Sequence, residues 1–306
     1  MTRSEEVLSN TEADVALALL DAYDHVVLAV SGGPDSMALL VLAALRQARR
    51  AQPMPTMSVA TVDHGLRRES AAEAAAVASE SARRGIPHAT LPWVGEKPAT
   101  GLPDAARRAR YALLAAHAAG FAQKPGARVA IATAHTEDDQ AETVFMRAAR
   151  GGGVRALAAM APVRRLVGSR SDVTVDLVRP LLGVPKRRLL ATLAAHGVMS
   201  CDDATNANTA FERPRVRKAL LASGIDPAAL AKTAHRMREA ADAIEYATRA
   251  LAAAAASTLN GGIYFSARRA VVAEAPLLVR AELLRIVLGI FGGDTPAPEA
   301  AEIRRL

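Results

Sequence analysis

Residues 26–37 have the sequence VVLAVSGGPDSM. A short apolar run, Val26–Val30, leads into a glycine turn, and the apolar pattern of a helix follows from Met37. This order predicts a β-strand, a tight turn and a helix N-terminus, where unpaired backbone N–H groups and the helix dipole favour an anion. Because two glycines let the backbone approach a ligand closely, the stretch predicts a phosphate-binding loop.

The turn at Ser31–Ser36 matches neither of two common phosphate loops, since it lacks the Lys-Ser/Thr pair of one and the three spaced glycines of the other. Its pattern, Ser-Gly-Gly-x-Asp-Ser, resembles the pyrophosphate loop of N-type ATP pyrophosphatases, which cleave ATP between the α- and β-phosphates. We expect Asp35 to hold Mg²⁺ there. The phosphates of ATP would contact Ser31, Gly32, Gly33, Pro34 and Ser36. The alternative for so short a motif is an ordinary loop.

Composition limits the class of protein. The chain has 306 residues, of which 51% are hydrophobic and 3% aromatic, which favours an α/β domain with alanine-rich helices and a second, smaller domain. The formal charge of +7 favours a polyanionic partner. The single cysteine, Cys201, excludes internal disulfides and favours a reducing cytoplasm. No apolar segment approaches the ~20 residues that span a bilayer, so we expect a cytoplasmic protein without a membrane partner.

Strand-like and helix-like segments alternate over the first half of the chain, which predicts a parallel, Rossmann-like sheet covered on both faces. In such sheets, ligands bind beyond the carboxyl ends of the strands. The predicted strands are Val26–Val30, Met57–Val62, His88–Leu91, Val129–Ala134 and Val175–Val178. The predicted helices are 37–49, 71–84, 102–119, 137–147 and 185–196.

The character of the sequence changes near residue 221. Residues 227–259 are alanine-rich and predict one or two helices, followed by a hairpin of Ile263–Phe265 with Ala270–Ala273 and an apolar helix over 277–290. We therefore predict a catalytic domain over residues 1–220 and a mainly helical domain over 221–306. The last residues belong to an amphipathic pattern, so we expect the chain of the native gene product to continue past Leu306.

Polar residues follow the second and third predicted strands. Asp63 and His64 come directly after the second strand, and predict either a helix-capping turn or a site for the adenine of a nucleotide. After the third strand, Arg107 and Arg110 share one face of a helix beside Tyr111. These arginines form either a solvated face or a site for phosphate.

The fourth strand leads into His135 and an acidic helix start. The helix dipole favours carboxylates there, but Asp138 and Glu142 lie four residues apart on one face, and like charges at this spacing repel. A bound cation would remove the repulsion. Asp138, Asp139 and Glu142 are therefore candidates to bind Mg²⁺ or the ammonium of an amino substrate, and we expect His135 to belong to the same site.

Basic residues dominate residues 147–188, where ten arginines and lysines stand against two aspartates. We call this set the basic stripe and interpret it as a binding surface for a phosphate backbone. Further along, Arg213, Arg215 and Arg217 alternate at the start of a predicted helix and fan out around it. Solvated surface is the alternative for each of them. The basic stripe consists of Arg147, Arg150, Arg155, Arg164, Arg165, Arg170, Arg179, Lys186, Arg187 and Arg188.

Taken in order, these motifs resemble the tRNA(Ile)-lysidine synthetases. The resemblance covers the chain to about residue 220, and beyond that only the helical layout matches. It is carried by Ser31–Ser36, 62–67, 106–111, Asp138–Thr143, Arg147, 150–153, Arg179–Leu182 and the series Asp203, Thr205, Asn206, Arg215, Val216 and Arg217.

The resemblance implies an ATP-dependent ligase that joins L-lysine to C2 of the wobble cytidine of tRNA(Ile) with a CAU anticodon. ATP would adenylate the C2 oxygen, and the lysine amine would then displace AMP. Asp35, Asp138, Asp139, Glu142 and Arg110 are implied in catalysis. The implied metal ligands for Mg²⁺ are Asp35 and Asp139, and the implied nucleotide contacts beyond the loop are Asp63, His64, His135, Arg215 and Arg217.

Other functions remain open at this point. A tRNA thiolase built on the same loop would need cysteines, and this sequence has one. An adenylating amidotransferase would not need the basic stripe. A nucleotide-gated RNA-binding module would leave Asp35 and the crowded carboxylates without a role. The sequence leaves the oligomeric state open, with a homodimer as one option.

Overall fold

The structure is a computed structural model that describes residues 6–50, 54–65, 70–98, 100–167, 174–200, 212–259 and 264–291. The chain divides into two compact units. The first unit is Met1–Ala149 with Met160–Lys232, and the second is Arg150–Ala159 with Thr233–Leu306. The structural division thus assigns residues 150–159 to the second unit. The functional boundary at residue 220 stays a prediction.

The first unit is a sheet with helices on its faces, and its elements follow the predicted alternation. Its strands are β1 (His25–Ala29), β2 (Thr56–Asp63), β3 (His88–Pro92), β4 (Val129–Ala132), β5 (Val163–Val167) and β6 (Thr174–Val178). Its helices are α1 (Asn10–Leu17), a 3₁₀ helix (Ala18–Ala22), α2 (Pro34–Arg49), α3 (Ser70–Arg83), α4 (Leu102–Ala119), α5 (Glu137–Ala149), α7 (Lys186–Ala195) and α8 (Glu212–Ser223).

The six strands have the order β3-β2-β1-β4-β6-β5. The first five in this order are parallel neighbours, and β5 pairs antiparallel with β6. The prediction of a parallel sheet is therefore confirmed over these five strands, and the antiparallel edge strand β5 is one that the sequence did not predict. Two arginines, Arg164 and Arg165, occupy the centre of β5, and charged side chains are typical of exposed edge strands that lack a clear apolar alternation.

The core lies around β1 and the helix that follows it. Val26, Val27 and Leu28 are fully buried, as are Leu39 and Leu40 of α2. A central parallel strand is covered on both faces, which explains its continuous apolar run. Helix α2 begins at Pro34, three residues before the predicted start, because proline is well suited to the first helical position.

The second unit is mainly helical. Its elements are α6 (Val154–Leu157), most of α9 (Pro227–Ala255, which begins in the first unit), β7 (Ala256–Leu259), β8 (Tyr264–Ala267), α10 (Arg269–Glu274) and α11 (Leu277–Phe291). In the part of the chain that the structure describes, no helix combines the length and the apolar character needed to cross a membrane.

The predicted hairpin of the second unit pairs the wrong two segments. Strand β8 pairs antiparallel with β7, and residues 269–274 form a helix instead of the second strand. The sequence analysis had continued the alanine-rich helix to Leu259, but Ser257 and Thr258 are weaker helix formers than the alanines before them.

Candidate active site

Two loops meet at the carboxyl ends of neighbouring strands. β1 and β4 are parallel neighbours, with Leu28 opposite Ala132, and the strand order reverses between them. This is the topological switch point at which open α/β sheets bind ligands. The loop Ser31–Ser36 follows β1, and His135 with the acidic start of α5 follows β4. The structure therefore brings the predicted phosphate loop and the predicted acidic helix to one edge of the sheet.

The phosphate loop is closed by its own serines. Ser36 Oγ donates to the carbonyl of Gly33 at 2.8 Å and accepts from the amide of Ser31 at 3.1 Å. Gly32 has φ +90°, which disfavours any residue with a Cβ. The N-cap of α2 is Gly33, which supplies no side-chain cap. The start of α2 thus receives no side-chain cap from its N-cap residue, as expected where an external anion binds.

Asp35 lies in this first turn and has one paired and one unpaired oxygen. Its Oδ2 accepts a hydrogen bond from Lys186 Nζ at 2.8 Å, and its Oδ1 is buried without a partner. Burial raises the pKa of Asp35, and the ion pair with Lys186 opposes that rise. An orphaned carboxylate oxygen beside a phosphate loop fits a Mg²⁺ ligand.

The described residues hold no cluster of three or more His, Cys, Asp or Glu side chains able to bind a metal by themselves. Mg²⁺ usually takes one or two carboxylates and completes its shell with water and substrate phosphates. The prediction that Asp35 and Asp139 bind the metal stays a prediction.

Asp138 and Asp139 accept hydrogen bonds from backbone amides at the starts of two helices. Asp138 Oδ2 accepts a hydrogen bond from the backbone amide of Lys186 at 2.7 Å, so it caps α7 from outside. Asp139 Oδ2 accepts from the amide of Thr136 at 2.9 Å, while Thr136 Oγ1 accepts from the amide of Asp139. This reciprocal pair is a capping box at the start of α5. Asp139 Oδ1 also lies 3.4 Å from Arg213.

Glu142 is the most buried carboxylate at this edge, with 2% of its side chain exposed. Its Oε1 accepts a hydrogen bond from Arg217 Nε at 2.7 Å, and its Oε2 is buried without a partner. Burial raises the pKa of Glu142, and Arg217 opposes that rise. The expected repulsion between Asp138 and Glu142 is thus relieved in part by the protein's own groups, the Lys186 amide and the Arg217 guanidinium.

His135 is neutral at neutral pH. Burial lowers the pKa of its imidazole to about 4; the charge of Asp139 opposes this shift, and the charges of nearby arginines add to it. Its Nδ1 lies 3.0 Å from Thr133 Oγ1. The ring therefore offers a neutral hydrogen-bonding group at the strand end, beside charged neighbours.

Asp63 is the last residue of the neighbouring strand β2, and His64 follows it. Asp63 Oδ1 accepts from the amide of Gly65 and from Ser70 Oγ, both at 2.8 Å, so it closes a turn on itself and contacts the first residue of α3. His64 stands edge-on to Trp93 at 5.7 Å, and its Nδ1 is buried without a partner. The predicted contact of both residues with adenine stays a prediction.

The predicted arginines have different surroundings. Arg110 lies 5.2 Å from the ring centre of Tyr111, and its charge acts on the pKa values of both His64 and His135. Arg217 reaches Glu142, whereas Arg215 is exposed on α8.

Sequence reasoning missed the part played by Lys186, Arg213 and Thr136 in this site. The Thr136-Glu-Asp-Asp139 pattern before an apolar run is a known helix-start signal, and it would have predicted the capping box. No local pattern points to Lys186 as a partner of Asp35, because 151 residues separate the two.

The basic stripe is not a continuous free surface. At least five of its described members have partners inside the protein, and the sequence analysis missed these partners because most of them lie far along the chain. Arg155 pairs with Glu282 at 3.2 Å, Arg165 with Asp176 at 3.7 Å, Lys186 with Asp35 at 2.8 Å and Arg188 with Glu12 at 2.8 Å, and the buried Arg179 donates to the carbonyl of Ala161 at 2.6 Å. Arg164 is exposed on β5, and Arg170 lies outside the described residues.

Comparison with known proteins agrees with this geometry. Residues 5–224 match the family described as a PP-loop domain. A tRNA(Ile)-lysidine synthase of Bradyrhizobium sp. is 45% identical over 299 residues, covering 94% of this chain and 80% of the relative. The tRNA(Ile)-lysidine synthase of Rhodopseudomonas palustris is 44% identical over 308 residues, covering 98% and 84%.

Among solved structures, the U34-tRNA thiolase NcsA of Methanococcus maripaludis has a similar fold, with a TM-score of 0.57 over 75% of this chain and 77% of that chain. At 16% identity this match shows the fold alone. It confirms the predicted Rossmann-like PP-loop architecture. With the PP-loop domain and the close relatives over nearly its whole length, the chain belongs to the tRNA(Ile)-lysidine synthase family.

Proposed function

We propose that this protein uses ATP to join L-lysine to C2 of the wobble cytidine of tRNA(Ile) with a CAU anticodon, in the cytoplasm. The C2 oxygen of the cytidine attacks the α-phosphorus of ATP, pyrophosphate leaves, and the lysine amine then displaces AMP to form lysidine. Family membership supports this assignment. The observation that carries it is the pair of buried, unpartnered carboxylate oxygens, Asp35 Oδ1 and Glu142 Oε2, beside an uncapped helix N-terminus.

The phosphates of ATP are assigned to the loop after β1. Its hydroxyls and the first turn of α2 offer hydrogen-bond donors and a positive helix end to an anion. The residues assigned to this contact are Ser31, Gly32, Gly33, Pro34 and Ser36. Asp63 and His64, at the end of the adjacent strand, are assigned to the adenine side of the nucleotide.

Mg²⁺ is assigned to Asp35, whose Oδ1 has no partner. Asp139 is the second assigned ligand, and it would have to loosen its 3.4 Å contact with Arg213 to serve. When bound, the ion would neutralise phosphate charge and make the α-phosphorus more electrophilic.

Glu142 is assigned to lysine. A buried carboxylate that has a cation on one oxygen only is half compensated, and a second cation at Oε2 would lower its free energy. The ammonium group of lysine that does not react is such a cation. Asp138, already bound to the Lys186 amide, is assigned to holding α7 in place beside the site.

The remaining assigned residues stabilise charge. Arg110, Arg215 and Arg217 offset negative charge on the phosphates and on the shifting adenylate. His135 contributes a neutral hydrogen bond to the nucleotide, since burial keeps its imidazole uncharged. The anticodon suits this chemistry because its bases leave the stack at little cost.

The experiment is pyrophosphate release by the full chain with ATP, Mg²⁺, L-lysine and a tRNA(Ile) transcript bearing CAU. Each component is omitted in turn, and a transcript with uridine at the wobble position is the matched control. We expect sustained release only with all four components, and lysine attached to the tRNA by mass spectrometry. Sustained release without tRNA or without lysine, or equal release with the uridine transcript, would contradict the proposal.

A further inference from the structure

Lys186 occupies a position that is electrostatically unfavourable for a lysine. It is the first residue of α7, and the first turn of that helix contains Lys186, Arg187 and Arg188 and no acidic residue. Cations at a helix N-terminus oppose the helix dipole. Arg188 is offset by Glu12 at 2.8 Å, so the charge of Lys186 needs its own compensation.

The compensation comes from Asp35, 2.8 Å away in the first turn of α2. The ammonium therefore lies at the N-terminus of a second helix, beside the phosphate loop. Both helix ends are positive, and Asp35 is the one carboxylate within hydrogen-bond distance of Nζ among the described residues. Such a concentration of positive charge suits an incoming polyanion.

The backbone of Lys186 is held by hydrogen bonds, and its side chain is partly exposed. Its amide donates to Asp138 at 2.7 Å, and the nearby carbonyl of Val184 accepts from the amide of Glu137 at 3.1 Å. These two bonds tie the start of α7 to the start of α5. The side chain of Lys186 keeps 31% of its surface exposed, and four methylene groups let its ammonium swing between neighbouring anions.

We propose that Lys186 is a further catalytic residue, whose ammonium neutralises Asp35 in the free protein and contacts the β- and γ-phosphates once ATP and Mg²⁺ are bound. If Asp35 held Mg²⁺, the Lys186 ammonium would lose its partner and could pair with the phosphates instead. The inference rests on the proposed function of the loop, and it assigns to Lys186 a contact that the sequence analysis did not give it.

The contact matters at the step that releases pyrophosphate. The cytidine oxygen forms a bond to the α-phosphorus, and the bond from that phosphorus to the bridging oxygen breaks with its electron pair left on pyrophosphate. The negative charge of the leaving group rises in this step. An ammonium already held beside it stabilises that charge without reorganisation.

The test measures binding of pyrophosphate with Mg²⁺, and separately of AMP, by titration calorimetry on the full chain. Since a charge-assisted hydrogen bond contributes about 1.5–3 kcal/mol, Lys186→Met should weaken pyrophosphate binding about tenfold or more and leave AMP binding unchanged. Lys186→Arg should recover most of the loss. Lys124→Met is the matched control. Lys124 is exposed and precedes β4, so it lies near the amino ends of the parallel strands, away from the phosphate loop at their carboxyl ends.

The outcomes separate the two proposals. If the unsubstituted protein binds no pyrophosphate, the assignment of the phosphate loop is wrong. If it binds pyrophosphate and Lys186→Met binds it equally well, Lys186 only pairs with Asp35 and the inference is overturned.

A second measurement does not depend on the variant folding. Acetylation of Lys186 in the unsubstituted protein is followed by mass spectrometry with and without magnesium pyrophosphate, with Lys124 as the internal reference. We expect pyrophosphate to slow acetylation of Lys186 severalfold. An unchanged rate at saturating pyrophosphate would overturn the inference.

Discussion

Arg217 donates a hydrogen bond of 2.7 Å to one oxygen of Glu142, and the other oxygen of that carboxylate is buried without a partner. Leaving a buried acceptor unsatisfied costs roughly 1–3 kcal/mol, and more for a charged group. A site formed only for stability would satisfy both oxygens. The half-paired Glu142 therefore indicates a place for a ligand cation, and it makes Arg217 the group that favours the ionised form of that carboxylate.

Arg217→Met should shift the pH dependence of lysine-dependent turnover. Without the guanidinium, burial acts unopposed and raises the pKa of Glu142 further. The acid limb of the activity profile then moves to higher pH, and activity near neutrality falls about tenfold for each unit of pKa that lies above the assay pH. Arg217→Lys keeps the charge and should move the limb less. The measurement is pyrophosphate release from pH 5 to 9, and an unchanged limb would contradict this role.

Gly32→Ala and Gly33→Ala should differ in stability. Gly32 has φ +90°, so a Cβ there costs roughly 1–3 kcal/mol in backbone strain. Gly33 has φ −69°, and a Cβ would meet Ser31 Oγ at an ordinary 3.7 Å. Gly33→Ala should therefore unfold in urea near the midpoint of the unsubstituted protein. If Gly33→Ala loses ATP binding while keeping its stability, the phosphates approach that backbone closely.

Asp138→Asn separates a structural role from a cation-binding one. An amide oxygen still accepts the hydrogen bond of the Lys186 amide but carries no charge. We expect Asp138→Asn to keep most stability and activity, whereas Asp138→Ala loses about 1 kcal/mol of unfolding free energy, the usual cost of a lost helix cap. Loss of turnover in Asp138→Asn with normal stability would show that the charge itself is required.

Variants of Arg164 and Arg188 test which members of the basic stripe contribute to tRNA binding. Arg164 is exposed on β5, so Arg164→Met should weaken tRNA binding and reduce the salt slope of the affinity by about 1. Arg188 is bound to Glu12, and 11% of its side chain is exposed. Arg188→Met should lower the melting temperature and leave the salt slope unchanged. Filter binding from low to moderate KCl, with thermal melting alongside, distinguishes the two, and equal salt slopes for both variants would contradict the assignment.

His25 should make the fold sensitive to acid. The imidazole lies within 2.9 Å of Thr56 and Ser58 hydroxyls and stacks on Phe121, and burial lowers its pKa to about 4. The unfolded chain keeps the ordinary pKa near 6.5 and so binds more protons between pH 6.5 and 4. The contribution of His25 is complete above pH 6.5 and is lost as pH falls to about 4.

The measurement for His25 is urea unfolding between pH 7 and pH 4.5, on the unsubstituted protein and on His25→Gln. Glutamine keeps a hydrogen-bonding side chain and does not titrate. His25→Gln should therefore lose less stability than the unsubstituted protein over this pH range. Parallel curves for the two proteins would show that His25 does not carry the effect.

Particular residues explain why the sequence did not predict β5, the hairpin partners or the pairing of the basic stripe. β5 was missed because Arg164 and Arg165 interrupt its apolar pattern, and the hairpin of the second unit was assigned the wrong partner strand. The basic stripe was overestimated because a count of charges within one segment does not include Glu12, Asp35 or Glu282. In each case the deciding partner lies elsewhere in the chain.

The sequence by itself determined the strand, the glycine loop and the helix at residues 26–37, because backbone conformation and apolar periodicity are local properties. It also determined that four strands alternate with helices, and that the chemistry follows β1 and β4. Only the tertiary structure decided which groups pair there. Lys186 reaches Asp35, Asp138 caps α7, and Arg217 satisfies one oxygen of Glu142, since folding brings together charges that lie 48 to 151 residues apart.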